Sequence, residues 1–302
     1  MADIILHHYD TSPFSEKVRV MFGLKGLAWR SVIQPVIMPK PDLIPLTGGY
    51  RRIPVMQIGA DVYCDTQVIL AELEARAPEP RVARGGDWAV NIWADRLWFQ
   101  ATVGVVFGEI GDSVPKSFVE DREKLSGRPF DMAAMKAAAV PMRSQWRADA
   151  AWVEHGLQGS DFLGGSSASL ADVAAYMNVW WLTAAARGAA EALLSDFPRT
   201  RAWRERVAAV GHGRRSEMAP AEALDAARAA EPGPAPAHDR NDPLGMRPGE
   251  AVAVSADDYG RDPIAGALVA LNPDRVVIAR DAGELGRVHV HFPRIGYIVA
   301  RA

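Results

Sequence analysis

Three sets of residues in this chain have types and spacings that chemistry can use. The first is a run of hydroxyls, Tyr9, Ser12 and Ser15, around Pro13. The apolar run Ile4, Ile5 and Leu6 before it suits a buried strand, and Phe14, Val18, Met21 and Phe22 after it recur at helical spacing. Ser12 is then a helix N-cap and Pro13 the first helical residue, where a missing N–H costs nothing. A hydroxyl at the positive end of a helix is placed to hold an anion, a thiolate included. The second set is Ile53-Pro54 followed by Asp65-Thr66: a proline at a strand entrance, then an acid and a hydroxyl opening a helix. The third is His289 and His291, which alternate on one strand and share a face.

Each set also has a plain structural reading. Ser12 and Asp65 cap helices whatever else they do. No cysteine or third histidine follows His289 and His291 at ligand spacing, so a solvated strand face and no metal are expected there. No phosphate-binding glycine motif is present, because Gly164-Gly165 precedes a capping sequence and does not follow a strand.

The elements that must hold these residues can be read in order. Residues 29–37 form a second strand ended by Pro39 and Pro41, and residues 40–49 a loop with one short helical turn. Residues 53–58 and 62–64 make a hairpin, and a helix from Asp65 carries Val68, Ile69, Leu70 and Leu73 as far as Ala77-Pro78. A linker over 78–86 leads into helices only: 88–109, 131–157 with a bend at Pro141, 169–187, 198–210 and 220–230. Residues 111–129 read as polar and irregular. Ser169 and Asp172 form an acid version of the capping box. Residues 231–243 are an extended Pro-rich linker, and about five short β patterns in the last 60 or so residues suggest a small barrel or curled sheet.

Composition narrows the function. The 302 residues, 49% hydrophobic and 24% charged, fit about two domains and a small third. A net charge of −3 without a basic block weighs against nucleic acid as a partner. No apolar run approaches the roughly 20 residues of a membrane span. Cys64 is the only cysteine, so an intrachain disulfide is excluded and a reducing, cytoplasmic compartment is expected; the N-terminus lacks the basic region of a secretory leader.

The stretch from Tyr9 to Val20 resembles the start of a cytosolic glutathione transferase. Ser12-Pro13-Phe14-Ser15 stands where thioredoxin-like redox proteins have Cys-Pro-x-Cys, which excludes dithiol chemistry. Aligned on Lys17-Val18-Arg19, Ser12 falls at the catalytic serine of the zeta class and the cysteine of the omega class. Ile53-Pro54 and Asp65-Thr66 match two further motifs of that family, and Ser169 to Asp172 resembles its helical-domain capping box. The resemblance covers about residues 3–215.

It implies a thioredoxin-like α/β domain (1–80) and an all-α domain (87–230); the linker (231–243) and the small all-β module (244–302) lie beyond its reach and rest on composition and strand pattern. It implies glutathione as co-substrate, its cysteinyl unit paired with the backbone of Ile53 before a cis-Pro54 and its γ-glutamyl end on Asp65 and Thr66. Lys40 and Arg52 are candidates for its glycyl carboxylate. Ser12, with Tyr9 and Ser15 as alternatives, would donate to the sulfur and favour the thiolate for attack on an apolar electrophile, the reaction of a detoxification transferase. Trp98, Phe107, Trp152, Trp180 and Trp181 are candidates for the electrophile pocket. A homodimer is implied as well. The alternative is a non-catalytic protein that uses the same scaffold for glutathione or protein binding, and the appended module keeps that reading open.

Overall fold

The computed structural model describes residues 3–302. β1 (Ile5–His8) is buried along its length, and the chain turns through Ser12 into α1 (Pro13–Leu24). β2 (Ala28–Ile33) lies parallel to β1. It stops short of the expected residue 37, because Pro35 has no N–H for a ladder. One turn of helix, α2 (Ile44–Thr47), precedes β3 (Val55–Ile58), which is antiparallel to β1 and forms a hairpin with β4 (Asp61–Cys64). α3 (Thr66–Arg76) completes the expected thioredoxin-like order.

The second domain is helical. α4 (Asp87–Trp93), one π turn (Ala94–Trp98) and α5 (Phe99–Ile110) form a continuous run where the sequence predicts a single helix. The stretch expected to be irregular contains α6 (Lys116–Ser126). Its apolar residues Phe118, Val119 and Leu125 are too sparse to show a period. α7 (Met132–Gly156) continues through Pro141, and α8 (Leu170–Ala185), α9 (Arg187–Leu194) and α10 (Pro198–Ala208) follow. The capping box at Ser169 is formed, and Asp172 does more than cap. It also accepts from the N–H groups of Leu163 and Gly164 and from the indole of buried Trp203. The domain core contains Trp98, Trp146 and Trp203, all fully buried.

The remaining chain returns to the sheet. β5 (Arg214–Glu217) adds a parallel strand beside β2, and α11 (Pro220–Arg228) buries Ala223 and Ala227. Five strands follow: β6 (Ala251–Ala256), β7 (Ile264–Leu271), β8 (Arg275–Asp281), β9 (Arg287–Pro293) and β10 (Tyr297–Arg301). They lie where the sequence places them but do not close on themselves as a barrel. β9 runs parallel to β4, and all ten strands form one sheet in the order β10-β6-β7-β8-β9-β4-β3-β1-β2-β5. A parallel pair between distant segments needs no turn between its strands, so it leaves no local mark in the sequence.

Packing follows pairing. Leu43, Leu46, Tyr50, Val55 and Val62 share one buried cluster with Val254, Ile264, Leu268, Val290 and Phe292. Gly48, at φ 73°, ends α2 directly under the Arg280 guanidinium of β8, where a Cβ would have no room. The expected free linker is pinned as well: the Gly233 N–H donates to Asp61 at 2.7 Å and the Asp239 N–H to the Leu271 carbonyl at 2.8 Å.

Candidate functional site

Most of the expected residues meet in one pocket at the N-terminus of α3. Ile53, Pro54, Asp65, Thr66 and Arg52 line it together with Phe14 from α1, and the Ile53–Pro54 peptide is cis. Asp65 caps α3 by accepting from the Gln67 N–H at 2.9 Å. It is the only non-glycine among the described residues with positive φ, at 90°. Such a backbone conformation is costly and persists where the surroundings hold a side chain in a required direction. Here the carboxylate is held in the pocket wall.

The far wall comes from the helical domain. Asp95 and Arg96 lie in the π turn, a device that recurs at functional sites. Asp95 accepts from the fully buried Lys17 ammonium at 2.6 and 2.7 Å, and Asn91 accepts from the same ammonium at 2.9 Å. This ion pair ties α1 to the helical domain. Burial pushes the Asp95 carboxyl up to about 6, against the opposing pull of Lys17.

The roof comes from the C-terminal strands, which sequence reasoning did not connect to the site. Asp258 pairs with Arg52, Tyr259 stacks on its guanidinium with the ring centre 3.9 Å away, and Asp257 accepts from Arg96 at 2.6 Å. From β10 the Tyr297 hydroxyl donates to Asp65 at 3.1 Å. With this roof in place the cavity is about 60 Å³. The charged run Asp257-Asp258-Tyr259-Gly260-Arg261-Asp262 lies between two of the short β patterns, and nothing local says which surface it covers.

Ser12, Tyr9, Ser15 and Lys40 do not line this pocket, and the Lys40 ammonium lies 5.9 Å from the centre of the Tyr9 ring. Ser12 is buried and accepts from the Ser15 N–H at 3.1 Å, as a cap should. The Tyr9 phenol lies beside the Ser12 hydroxyl and Arg122, so the two rival hydroxyls share one place. Burial raises the Tyr9 pKa despite those neighbours, so the phenol stays protonated at neutral pH and can donate. Arg122 comes from α6, bonded to Asp121 at 2.7 Å, and Asp121 also accepts from Arg51 at 3.2 Å. Lys40 is buried and donates to the Pro35 carbonyl, and burial followed by nearby Arg122 lowers its pKa to about 8. The hydroxyl of Ser15 is buried without a partner. Of the two cations expected at one carboxylate, Arg52 lines the Asp65 pocket and is paired with Asp258, whereas Lys40 does not line it.

The aromatic candidates divide. Trp98 belongs to the core, and Trp152 is exposed on α7. Phe107 and Trp181 join a chain of rings that starts in the pocket: Phe14 meets Phe99 at 4.7 Å, Phe99 meets Trp181 at 5.5 Å, and Phe107 contacts Trp181, Phe118 and Phe130 at 5.1–5.9 Å. Trp180 instead lies 5.8 Å from Arg19. The sequence missed Phe14, Phe99, Phe118 and Phe130 because they lie on separate elements. A second cavity, about 480 Å³ between Leu157 and Arg206, opens elsewhere on the helical domain and contains none of these residues.

Two sequence models match in tandem: "Glutathione S-transferase, N-terminal domain" over residues 6–81 and "Glutathione S-transferase, C-terminal domain" over residues 70–206. A crystal structure of a GST-like protein from Pseudomonas syringae is 36% identical over the full length of both chains, with a TM-score of 0.82. The chain belongs to the glutathione S-transferase family. Its fold is also similar to a glutathione S-transferase from Rhodospirillum rubrum F11, at 19% identity over 68% of this chain and 87% of that one, TM-score 0.54. FzlA from C. crescentus is 22% identical over 81% of this chain and all of that one, TM-score 0.50. A comparison with curated protein sequences found no match. Both family models end before β5, so the roof of this transferase-family pocket lies outside the family's two standard domains.

Proposed function

We propose that the protein binds glutathione in the Asp65 pocket and activates it as a thiolate. The observation that carries this reading is the convergence of Ile53, cis-Pro54, Asp65 and Thr66 at the positive end of α3. The γ-glutamyl carboxylate suits the free N–H groups and Thr66 hydroxyl there, and its ammonium suits Asp65. The cysteinyl amide would pair with the Ile53 backbone, which directs the thiol past Phe14 toward Ser12 and Tyr9.

The energetics are modest. A thiol of pKa about 8.5 needs roughly 1.4 kcal/mol for each unit of lowering. One hydrogen bond to a charged acceptor contributes about 1.5–3 kcal/mol. A single hydroxyl, from Ser12 or from the protonated Tyr9 phenol, is enough to populate the thiolate. The thiolate sulfur would form a bond to an apolar electrophile held against the Phe99–Trp181 rings, and the electrophile's leaving group would depart with its electron pair.

A second reading is binding without turnover, and the roof bears on both. A cavity of about 60 Å³ is far below the roughly 300 Å³ at which small-molecule pockets begin, and Tyr297 already occupies Asp65. Either reading requires the roof to move. The test is the thiolate absorbance of bound glutathione against pH in the wild type, Ser12→Ala and Tyr9→Phe, followed by turnover of a panel of electrophiles. An upward shift in Ser12→Ala assigns the donor to Ser12, and a shift only in Tyr9→Phe transfers it to Tyr9. Bound glutathione that never reaches a thiolate and never turns over would leave only the binding reading.

The family reading extends to a cytoplasmic homodimer. Leu97 on the π turn and Val140 and Trp152 on α7 are exposed apolar residues that a second subunit would cover. Sedimentation at micromolar concentration should give twice the 32.7 kDa chain mass.

A further inference from the structure

The histidines expected to face solvent are buried. His289 is 9% and His291 4% exposed, because β4 pairs with β9 and covers that edge. The pairing also supplies the acid that the sequence spacing did not offer. Asp61 stands opposite His289 in the register, with its Oδ1 2.8 Å from His291 Nε2 and 3.9 Å from His289 Nδ1. One ligand atom from each of the three residues lies within 4.8 Å of the others.

We propose that Asp61, His289 and His291 form a binding site for a divalent late first-row cation of the zinc type. Two imidazoles and a carboxylate are the donor set such ions take, with a further position left for water. The spacing fits. Ligand atoms about 2.0–2.1 Å from a tetrahedral ion lie about 3.4 Å apart, between the two Asp61–histidine distances observed. His289 Nδ1 has no hydrogen-bond partner, although its residue is more than nine-tenths buried and it is aimed at the Asp61 carboxylate. The Nδ1 and the Asp61 Oδ1, which already bonds His291 Nε2, face each other beyond hydrogen-bond reach, and a cation between them gives the Nδ1 the partner it lacks.

Entry of the ion exchanges one interaction for another. His291 Nε2 must carry its lone pair toward the metal, so its 2.8 Å separation from Asp61 opens toward the ligand spacing of about 3.4 Å, and the ring proton moves to Nδ1, a buried atom that has no partner here. Asp61 Oδ2 keeps its bond from the Gly233 N–H. The ion would sit across the β4–β9 seam and join the transferase-like half of the sheet to the C-terminal strands. It lies at the opposite end of β4 from Asp65 and takes no part in the glutathione chemistry.

The test uses the full chain, stripped by a chelator and titrated with Zn2+ against a chromophoric competitor, and in parallel with Co2+. The wild type should bind one equivalent, melt at a higher temperature when loaded, and show a cobalt spectrum of nitrogen and oxygen ligands. His289→Gln should weaken binding by more than the roughly 10–100-fold that a merely supporting residue costs. A wild type that binds no zinc, or a His289→Gln variant that binds as well as wild type, overturns the proposal. If the variant fails to fold, X-ray absorption of the zinc-loaded wild type decides. Two imidazoles with oxygen uphold the site, and a sulfur ligand or water alone refutes it.

Discussion

The floor and the roof of the Asp65 pocket come from two parts of the chain that hold the same ligand space by different means. The floor is built from two local motifs, Ile53-Pro54 at the entrance of β3 and Asp65-Thr66, whose acid caps α3. The roof is built from contacts between distant residues, Arg52 to Asp258, Arg96 to Asp257 and Asp65 to Tyr297. The floor is rigid because β3, β4 and α3 are buried. Of the roof's ties only Arg96 to Asp257 is half exposed, where an ion pair contributes about 0–1 kcal/mol, whereas Arg52 and Tyr297 are largely buried. A ligand larger than the closed volume requires this roof to be displaced from the floor.

Removing the roof altogether should have the largest effect. Deleting residues 231–302 strips β9 from β4 and exposes the cluster around Val55 and Val62. The truncated chain should fail to yield soluble protein with a cooperative thermal transition by circular dichroism. A soluble, cooperatively melting fragment would show that the floor stands alone.

A floor residue comes next. Asp65→Asn keeps the cap and tolerates the unusual backbone, yet removes the charge for a ligand ammonium. Loss of a charged hydrogen bond of about 1.5–3 kcal/mol should weaken glutathione about 10–150-fold by calorimetry. Unchanged affinity would move the γ-glutamyl site elsewhere.

Acidity acts on the wall between floor and roof. Because Asp95 gains its proton near pH 6, the pocket loses a negative charge as pH falls through that value. Affinity for an ammonium-bearing ligand should therefore be full above about pH 7 and drop about tenfold by pH 5, one unit below the pKa. Asp95→Asn, if folded, should flatten that profile.

The smallest expected effect is on the roof's hold. Asp258→Asn weakens the tie to Arg52 and frees it for the glycyl carboxylate, so glutathione affinity should rise, by at most about fivefold. A fall would mean that Asp258 itself contacts the ligand. Floor and roof substitutions are thus expected to act in opposite directions.

The same contrast sets what the sequence could show. The β-α-β-α-β-β-α order, the Ser169–Asp172 box and the Asp65 cap depend on residues within a few positions of one another, and each is where local reasoning places it. The π turn at Asp95 is invisible because its residues carry an ordinary helical pattern. β5, Arg-Arg-Ser-Glu, is fully exposed and polar and reads as loop, although it pairs with β2. The C-terminal strands were legible as strands, but not their partner. Burial of His289 and His291 follows from β4 alone, and no spacing within residues 287–293 carries that information.

The central claim is that glutathione binds the fixed floor while the roof gives way. Hydrogen–deuterium exchange of the full chain, with and without saturating glutathione, tests it directly. The amides at the start of α3, Gln67 among them, should gain protection, while residues 257–261 should exchange faster than in the free protein. Protection confined to other surfaces such as the cavity between Leu157 and Arg206, or a roof that becomes more protected while the floor does not change, would contradict the account.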